Sequence, residues 1–155
     1  MDASKKAQVG MILVIASVGS AFLWWFSTGH LFLSWYGTYQ ISALTFAILS
    51  VSLPVALTIA GLAAYVAGRK AFWNSNQRQK RLLAFLGLAF MLLGGFFGAW
   101  YWATATYRAN LLQSVGRSAL VNYLSTNSPY FALFALWFVS GLLTFADAVD
   151  SFLKT

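Results

Sequence analysis

The sequence contains no cysteine and no glutamate, and its single histidine is His30. Without cysteine the chain cannot form a disulfide, a thiolate zinc site, an iron–sulfur cluster or a thiol nucleophile. One histidine is too few for a haem held by two imidazoles or for an ordinary zinc or copper site. We therefore predict that the chain alone binds no metal and no cofactor.

Acidic residues are also scarce, since Asp2, Asp147 and Asp150 are the only carboxylates beside ten Lys and Arg. The sequence has no nucleophile elbow, no phosphate-binding glycine loop and no pair of carboxylates in the middle of an apolar segment. Acid–base, nucleophilic and metal-assisted mechanisms therefore lack their usual groups. These absences predict a protein that is not an enzyme by itself.

Charged residues make up only 8% of the chain, whereas hydrophobic residues make up 60%. Soluble domains carry roughly 25% charged residues, so this composition is typical of a protein that lies in lipid. The net charge of +7 comes from basic residues in the connections and at the chain ends. This distribution indicates membrane orientation, and we predict no nucleic-acid partner.

Four long apolar segments cover most of the chain, and each is long enough for a hydrocarbon core of roughly 30 Å. They span residues 7–28, 39–68, 82–107 and 129–152. We predict an all-α integral membrane protein, a four-transmembrane-helix bundle that forms a single membrane domain over residues 1–155.

Two of the connections between spans are themselves rich in apolar residues. The link 29–38 carries no formal charge, so we expect it to lie in the headgroup region. In segment 108–126, apolar residues recur at intervals of three and four, which predicts an external amphipathic helix between spans three and four. This helix either continues span three or lies on the membrane surface.

Basic residues predict the orientation of the spans. Lys5, Lys6, Lys154 and five basic residues of the connection 69–81 fall on one side of a four-span arrangement. By the positive-inside rule, both termini are then cytoplasmic in a multi-pass protein of the cell membrane. Most Trp and Tyr residues map to the opposite end, as expected of an interfacial aromatic belt.

Small residues recur in spans two and three at positions that favour close helix packing. They are Ala56, Ala60, Ala64 and Gly68 in span two, and Gly94, Gly95, Gly98 and Ala99 in span three. We expect them to pack these two spans against each other within the chain. The alternative is that they contact a partner subunit.

Three further features are candidates for function. Asp147 and Asp150 form a possible ionisable site, although we expect them to pair at headgroup depth with Lys or Arg of the basic connection. Pro54 interrupts span two and is a possible hinge. A possible lipid or quinone contact at the outer end consists of Trp24, Trp25, His30, Trp35, Trp100 and Trp102. An ordinary interfacial belt would explain the same aromatic residues.

The leading functional hypothesis is a small non-catalytic subunit of a larger membrane complex, such as a respiratory or other energy-transducing one, with a role in assembly or stabilisation. The expected partners are membrane lipids and either other membrane subunits or further copies of the chain. A homo-oligomeric channel or small transporter is one alternative, but Ser42, Thr45, Ser50, Ser52 and Thr58 do not form one helical face. A quinone- or lipid-binding accessory protein is the other.

Overall fold

Four long helices make up the fold of the protein in a computed structural model, which describes residues 2–39, 43–75, 80–112 and 117–154. They are α1 (Ala3–Tyr39), α2 (Ala43–Ser75), α3 (Lys80–Leu112) and α4 (Arg117–Leu153), and these described residues include no strand. Each helix contains a stretch long and apolar enough to cross a membrane: Ala3–Phe26, Leu44–Asn74, Lys80–Thr104 and Ser125–Leu153. The prediction of an all-α chain is confirmed for the described residues, and four of its helices are long and apolar enough to span a membrane.

The helices are longer than the predicted spans. Helix α1 continues through the expected link 29–38 and ends at Tyr39, so that link is not a separate segment. The link contains no proline that would break a helix, and its apolar and aromatic residues are compatible with one. The stretch of α1 that could cross a membrane is Ala3–Phe26, so the helix itself extends well beyond the predicted span of residues 7–28.

The predicted amphipathic segment 108–126 is divided between two helices. Residues 108–112 continue α3, residues 117–126 form the start of α4, and residues 113–116 lie outside the described residues. No proline occurs between residues 80 and 128, and Pro129 is accommodated inside α4. The described part of this segment therefore lengthens α3 at its end and α4 at its start.

The helices pack as two antiparallel hairpins, α1 with α2 and α3 with α4, and α2 joins the hairpins by packing against α4. The start of α1 lies beside the end of α2, and the start of α3 lies beside the end of α4. We call this end of the bundle the terminal end, and the other the opposite end. Helices α2 and α3 have at most marginal contact, so the prediction that they pack against each other is wrong.

Glycine pairs bring the backbones of each hairpin into direct contact. A Cβ atom on Gly61 would lie 2.6 Å from the carbonyl oxygen of Gly10, and one on Gly141 would lie 2.6 Å from the carbonyl oxygen of Gly87. Backbone atoms on a facing helix cannot move aside as a flexible side chain can. Lipid supplies no hydrophobic drive between helices, so this close approach and its dispersion contacts stabilise each hairpin.

A buried hydroxyl connects three helices in the middle of the bundle. The Oγ atom of Ser17 on α1 accepts hydrogen bonds from Nε1 of Trp137 on α4 and from Oγ1 of Thr58 on α2, each at 2.9 Å. The Ser17 hydroxyl in turn donates to the Val14 carbonyl at 2.7 Å. All three side chains are fully buried. Because these three side chains are inaccessible to solvent, their hydrogen bonds orient α1, α2 and α4 about their axes.

Pro54 is buried within α2, which runs without interruption from Ala43 to Ser75. The Thr58 hydroxyl lies 2.7 Å from the Pro54 carbonyl, and Ser50 and Ser52 bond the carbonyls of Ala47 and Leu49. Polar side chains therefore surround the proline within one turn on each side. Its predicted role as a hinge stays a prediction.

The glycine contacts generate a stability prediction. Gly141→Ala should lower the free energy of unfolding by about 1–3 kcal/mol, because the added methyl group would separate α3 from α4. Gly19→Ala is the matched control, since its methyl group would meet no atom within 4 Å. The control should be neutral or stabilising by up to about 1 kcal/mol. Thermal denaturation of the purified variants in detergent measures both, and equal effects would contradict the packing.

The buried hydroxyl generates a second prediction. Ser17→Ala removes the acceptor of Trp137 Nε1 and should lower the free energy of unfolding by about 1–3 kcal/mol. Ser20→Ala is the control because its hydroxyl bonds only the Ser17 carbonyl within α1, and its effect should stay within about 0.5 kcal/mol. Denaturant titration monitored by tryptophan fluorescence compares the two. A Ser17→Ala variant as stable as the parent would show that the interhelical bonds contribute nothing.

Candidate functional site at the terminal end

A polar cavity of about 480 Å³ opens at the terminal end between α2, α3 and α4. Its walls include four basic side chains, Arg69, Lys70, Lys80 and Lys154, and two acidic ones, Asp147 and Asp150. Most of the charged residues of α2, α3 and α4 therefore lie around this one cavity. This concentration makes the cavity the leading candidate for a binding site.

Asp147 on α4 is held by two groups of α2. The Tyr65 hydroxyl donates to its Oδ2 atom at 2.8 Å, and Nη1 of Arg69 lies 3.4 Å from its Oδ1 atom. Nε1 of Trp73 donates to the Tyr65 hydroxyl oxygen at 2.8 Å, so the tyrosine is fixed from both sides. The carboxylate is therefore neutralised within the chain, and the network ties α2 to α4.

Asp150 is arranged differently. It pairs with Lys154 one turn along the same helix, at 2.5 Å, and both side chains are mostly exposed. Such a surface pair contributes little to stability. Of the two aspartates expected to pair with the basic connection, Asp147 is placed beside Arg69, whereas Asp150 pairs within α4 because Lys154 is closer along the helix.

Lys80 is the most unusual group in the cavity. Only 5% of this side chain is exposed, although it is the first residue of α3. Its Nζ atom donates to the Ser151 carbonyl oxygen at 3.4 Å. An ammonium group has three N–H donors, and no aspartate side chain lies within ion-pair distance of this one. A buried cation is thus present in the cavity without an acidic partner among the described side chains.

Tyr65, Trp73 and Lys80 were not among the candidates singled out from the sequence. Tyr65, Arg69 and Trp73 recur at intervals of four residues, which places them on one face of α2. That spacing could have identified the three α2 residues together. No sequence signal predicts the burial of Lys80, since this depends on how α3 and α4 pack.

The small residues of the two predicted stripes have different surroundings. Gly68 packs against Ala3 and Ala7 of α1, and Gly94 packs against the backbone of α4 at Phe134 and Phe138. In span two, Ala56 and Ala60 are exposed and Ala64 is half-buried. In span three, Gly95, Gly98 and Ala99 line an apolar groove of about 500 Å³ between α3 and α4.

The outer aromatic candidates do not share one pocket in the described part of the chain. Trp25 packs against Phe134 and Trp137, and Trp24 is half-buried. Trp100 and Trp102 on α3 are mostly exposed. His30 and Trp35 fall within α1, and their side chains lie outside the described residues. Trp25 Nε1 is a buried donor for which the described chain supplies no acceptor.

Residues 2–39, 43–75, 80–112 and 117–154 contain no group of three or more His, Cys, Asp or Glu residues placed to hold a metal ion. Comparison with known protein families, curated proteins and solved structures finds no match to this chain. Functional proposals for this protein therefore rest on the chemistry of its own residues.

The terminal network generates a third prediction. Asp147→Asn keeps an acceptor for Tyr65 but leaves Arg69 without its counter-charge, so it should lower the free energy of unfolding by about 1–2 kcal/mol. Asp150→Asn removes the same charge from an exposed pair and should change stability by less than about 0.5 kcal/mol. Thermal denaturation in detergent at low salt tests the difference. Equal losses would mean that only net charge matters.

Proposed function

We propose that this protein is a non-catalytic transmembrane subunit of a larger membrane complex, in which it assists assembly or stability. We further propose that it lies in the cell membrane with both termini in the cytoplasm, as the distribution of its basic residues favours. The observation that carries the proposal is the apolar groove between α3 and α4, whose floor is made of small residues.

The groove has a glycine floor that the fold of this chain does not require. A Cβ atom on Gly95 would lie 3.6 Å from the Phe138 ring, and one on Gly98 would lie 3.8 Å from Cβ of Phe134. Both are ordinary van der Waals distances, unlike the tight contact at Gly94. Alanine would therefore fit at Gly95 and Gly98 without disturbing α4.

Glycine inside a helix costs roughly 1 kcal/mol relative to alanine in stability. Two glycines that are not needed for internal packing suggest a contact outside the chain. In lipid, such positions let the backbone of a neighbouring helix approach closely and gain dispersion contacts. The exposed rings of Trp102 and Phe138 at the groove edges offer the neighbour apolar surface. A transmembrane helix of another subunit is the occupant that this shape favours.

The channel or transporter alternative has less support. Ser50 and Thr58 are buried and hydrogen-bonded to Tyr130 and Ser17, respectively, whereas Thr45 and Ser52 are exposed. These hydroxyls therefore do not combine into one polar path along α2, and Ser42 lies outside the described residues. The cavity near Leu62 and Ser140 has a volume of only about 30 Å³, which is room for no more than a few water molecules.

The quinone- or lipid-binding alternative has one specific observation in its favour. The Trp25 Nε1 donor is buried without an acceptor from the described chain, and the carbonyl of a ligand packed against Trp25 would accept its hydrogen bond. Trp25→Phe should then weaken retention of an added quinone. Quinone retention equal to that of the parent, measured after gel filtration of the purified protein, would remove this support.

The subunit proposal predicts that Gly98→Leu will abolish co-migration with partner subunits while leaving the chain folded. The Cβ atom of the leucine would lie at an ordinary contact distance from α4, and we expect the rest of the side chain to occupy the groove. Ala89→Leu is the matched control because Ala89 is exposed on the same helix outside the groove. The measurement is extraction of the tagged chain from its native membrane in mild detergent, followed by native electrophoresis and mass spectrometry. We expect stoichiometric partners with the parent and with Ala89→Leu.

Two results would contradict this proposal. The parent chain could migrate alone or only with copies of itself, which would favour the channel alternative and call for conductance measurements in liposomes. Gly98→Leu could also retain its partners, in which case the groove is not the interface. A thermal denaturation curve of Gly98→Leu, matched to that of Ala89→Leu, separates loss of the interface from loss of folding.

A further inference from the structure

We propose that the cavity at the terminal end is a binding site for a phosphate group, with the buried ammonium of Lys80 as its central ligand. The phosphate could belong to the headgroup of an anionic phospholipid or to a soluble phosphate compound. This proposal does not depend on the subunit role, because the groove and the cavity lie on different parts of the bundle.

The charge balance of the cavity favours an anion. Four basic and two acidic side chains line it, which leaves a net charge of +2 (4 − 2). The two carboxylates are already paired, Asp147 with Arg69 and Asp150 with Lys154. The remaining basic groups, Lys70 and Lys80, therefore set the sign of the free charge in the cavity.

Burial distinguishes Lys80 from an ordinary surface lysine. An ammonium removed from water must be compensated by an opposite charge or by hydrogen bonds, and otherwise destabilises the fold. The described chain offers it one carbonyl oxygen, that of Ser151, at the long distance of 3.4 Å. A phosphate oxygen in the cavity would accept its other N–H groups and supply the missing negative charge. The site is therefore incomplete without an anion.

The position of the cavity suits a phosphate at the membrane surface. It lies at the end of helices that are apolar over most of their length. Leu82 and Phe85 on α3 and Leu153 on α4 are exposed near this end, so they offer contacts to acyl chains beside the cavity. Lys70 and Asn74 at the end of α2 line the same cavity and add N–H donors at its rim.

The test compares Lys80→Met with Arg81→Met in the purified full-length chain. Methionine keeps the unbranched stem of the lysine without its charge, and Arg81 is an exposed basic neighbour that does not line the cavity. Binding of phosphatidylglycerol is measured by native mass spectrometry in a neutral detergent, with phosphatidylcholine as the uncharged comparison. Binding of inorganic phosphate is measured by calorimetry at constant ionic strength.

We expect Lys80→Met to weaken binding by about tenfold or more, since a charge-assisted hydrogen bond is lost. Arg81→Met should retain parental affinity. If inorganic phosphate binds and displaces phosphatidylglycerol, the site recognises the phosphate group itself. If only the lipid binds, the headgroup and its acyl chains are recognised together. Both results support the proposal.

Two results would overturn it. The first is that neither phosphatidylglycerol nor inorganic phosphate binds the parent chain more tightly than phosphatidylcholine does. The second is that Arg81→Met weakens binding as much as Lys80→Met. The second result would show a general attraction to positive charge and no defined site. Thermal denaturation of the ligand-free variants shows whether Lys80→Met is folded, and a stable variant makes its binding result decisive.

Discussion

The backbone contact within each hairpin, Gly10 with Gly61 and Gly87 with Gly141, is the constraint on which the other geometry depends. Lipid is as apolar as the helix surfaces, so burying leucine between helices gains little, and close approach must supply the attraction. With the hairpins closed at these glycines, α2 and α4 meet in the middle of the bundle. Every polar contact between α2 and α4 relies on that arrangement.

Polar groups then act in two layers with different purposes. In the middle of the bundle, the Ser17 hydroxyl is satisfied by Thr58 and Trp137, so polarity there serves helix orientation. At the terminal end, Tyr65 and Arg69 hold Asp147, and a basic excess remains that includes the buried Lys80. The first layer is closed to ligands and the second is open. The terminal end is therefore the candidate for ligand binding, whereas the groove between α3 and α4 is the candidate for contact with another helix.

The sequence predicted some features of the packing and missed others. Of the small residues predicted to pack spans two and three together, Gly68 and Gly94 do contact a neighbouring helix, but not each other's, because spacing does not say which helix faces a stripe. Gly68 contacts α1 and Gly94 contacts α4. The link 29–38 was expected to be a short connection between two spans, and the structure instead includes it in α1, which no proline interrupts before Tyr39. Asp147 was expected beside a basic residue of the connection, and Arg69 occupies that place.

Composition and periodicity by themselves determined that this is an all-helical chain with four helices able to cross a membrane, because the cost of burying polar groups in lipid leaves few other solutions. They also determined which end carries most of the basic charge. Only the tertiary structure decided which helices pair, that Gly95 and Gly98 line an open groove, and that Lys80 is buried with no carboxylate of the described side chains beside it. These features depend on how helices distant in sequence rotate and cross. Many different packings of the same four helices are compatible with one hydrophobic pattern, so the pattern cannot select among them.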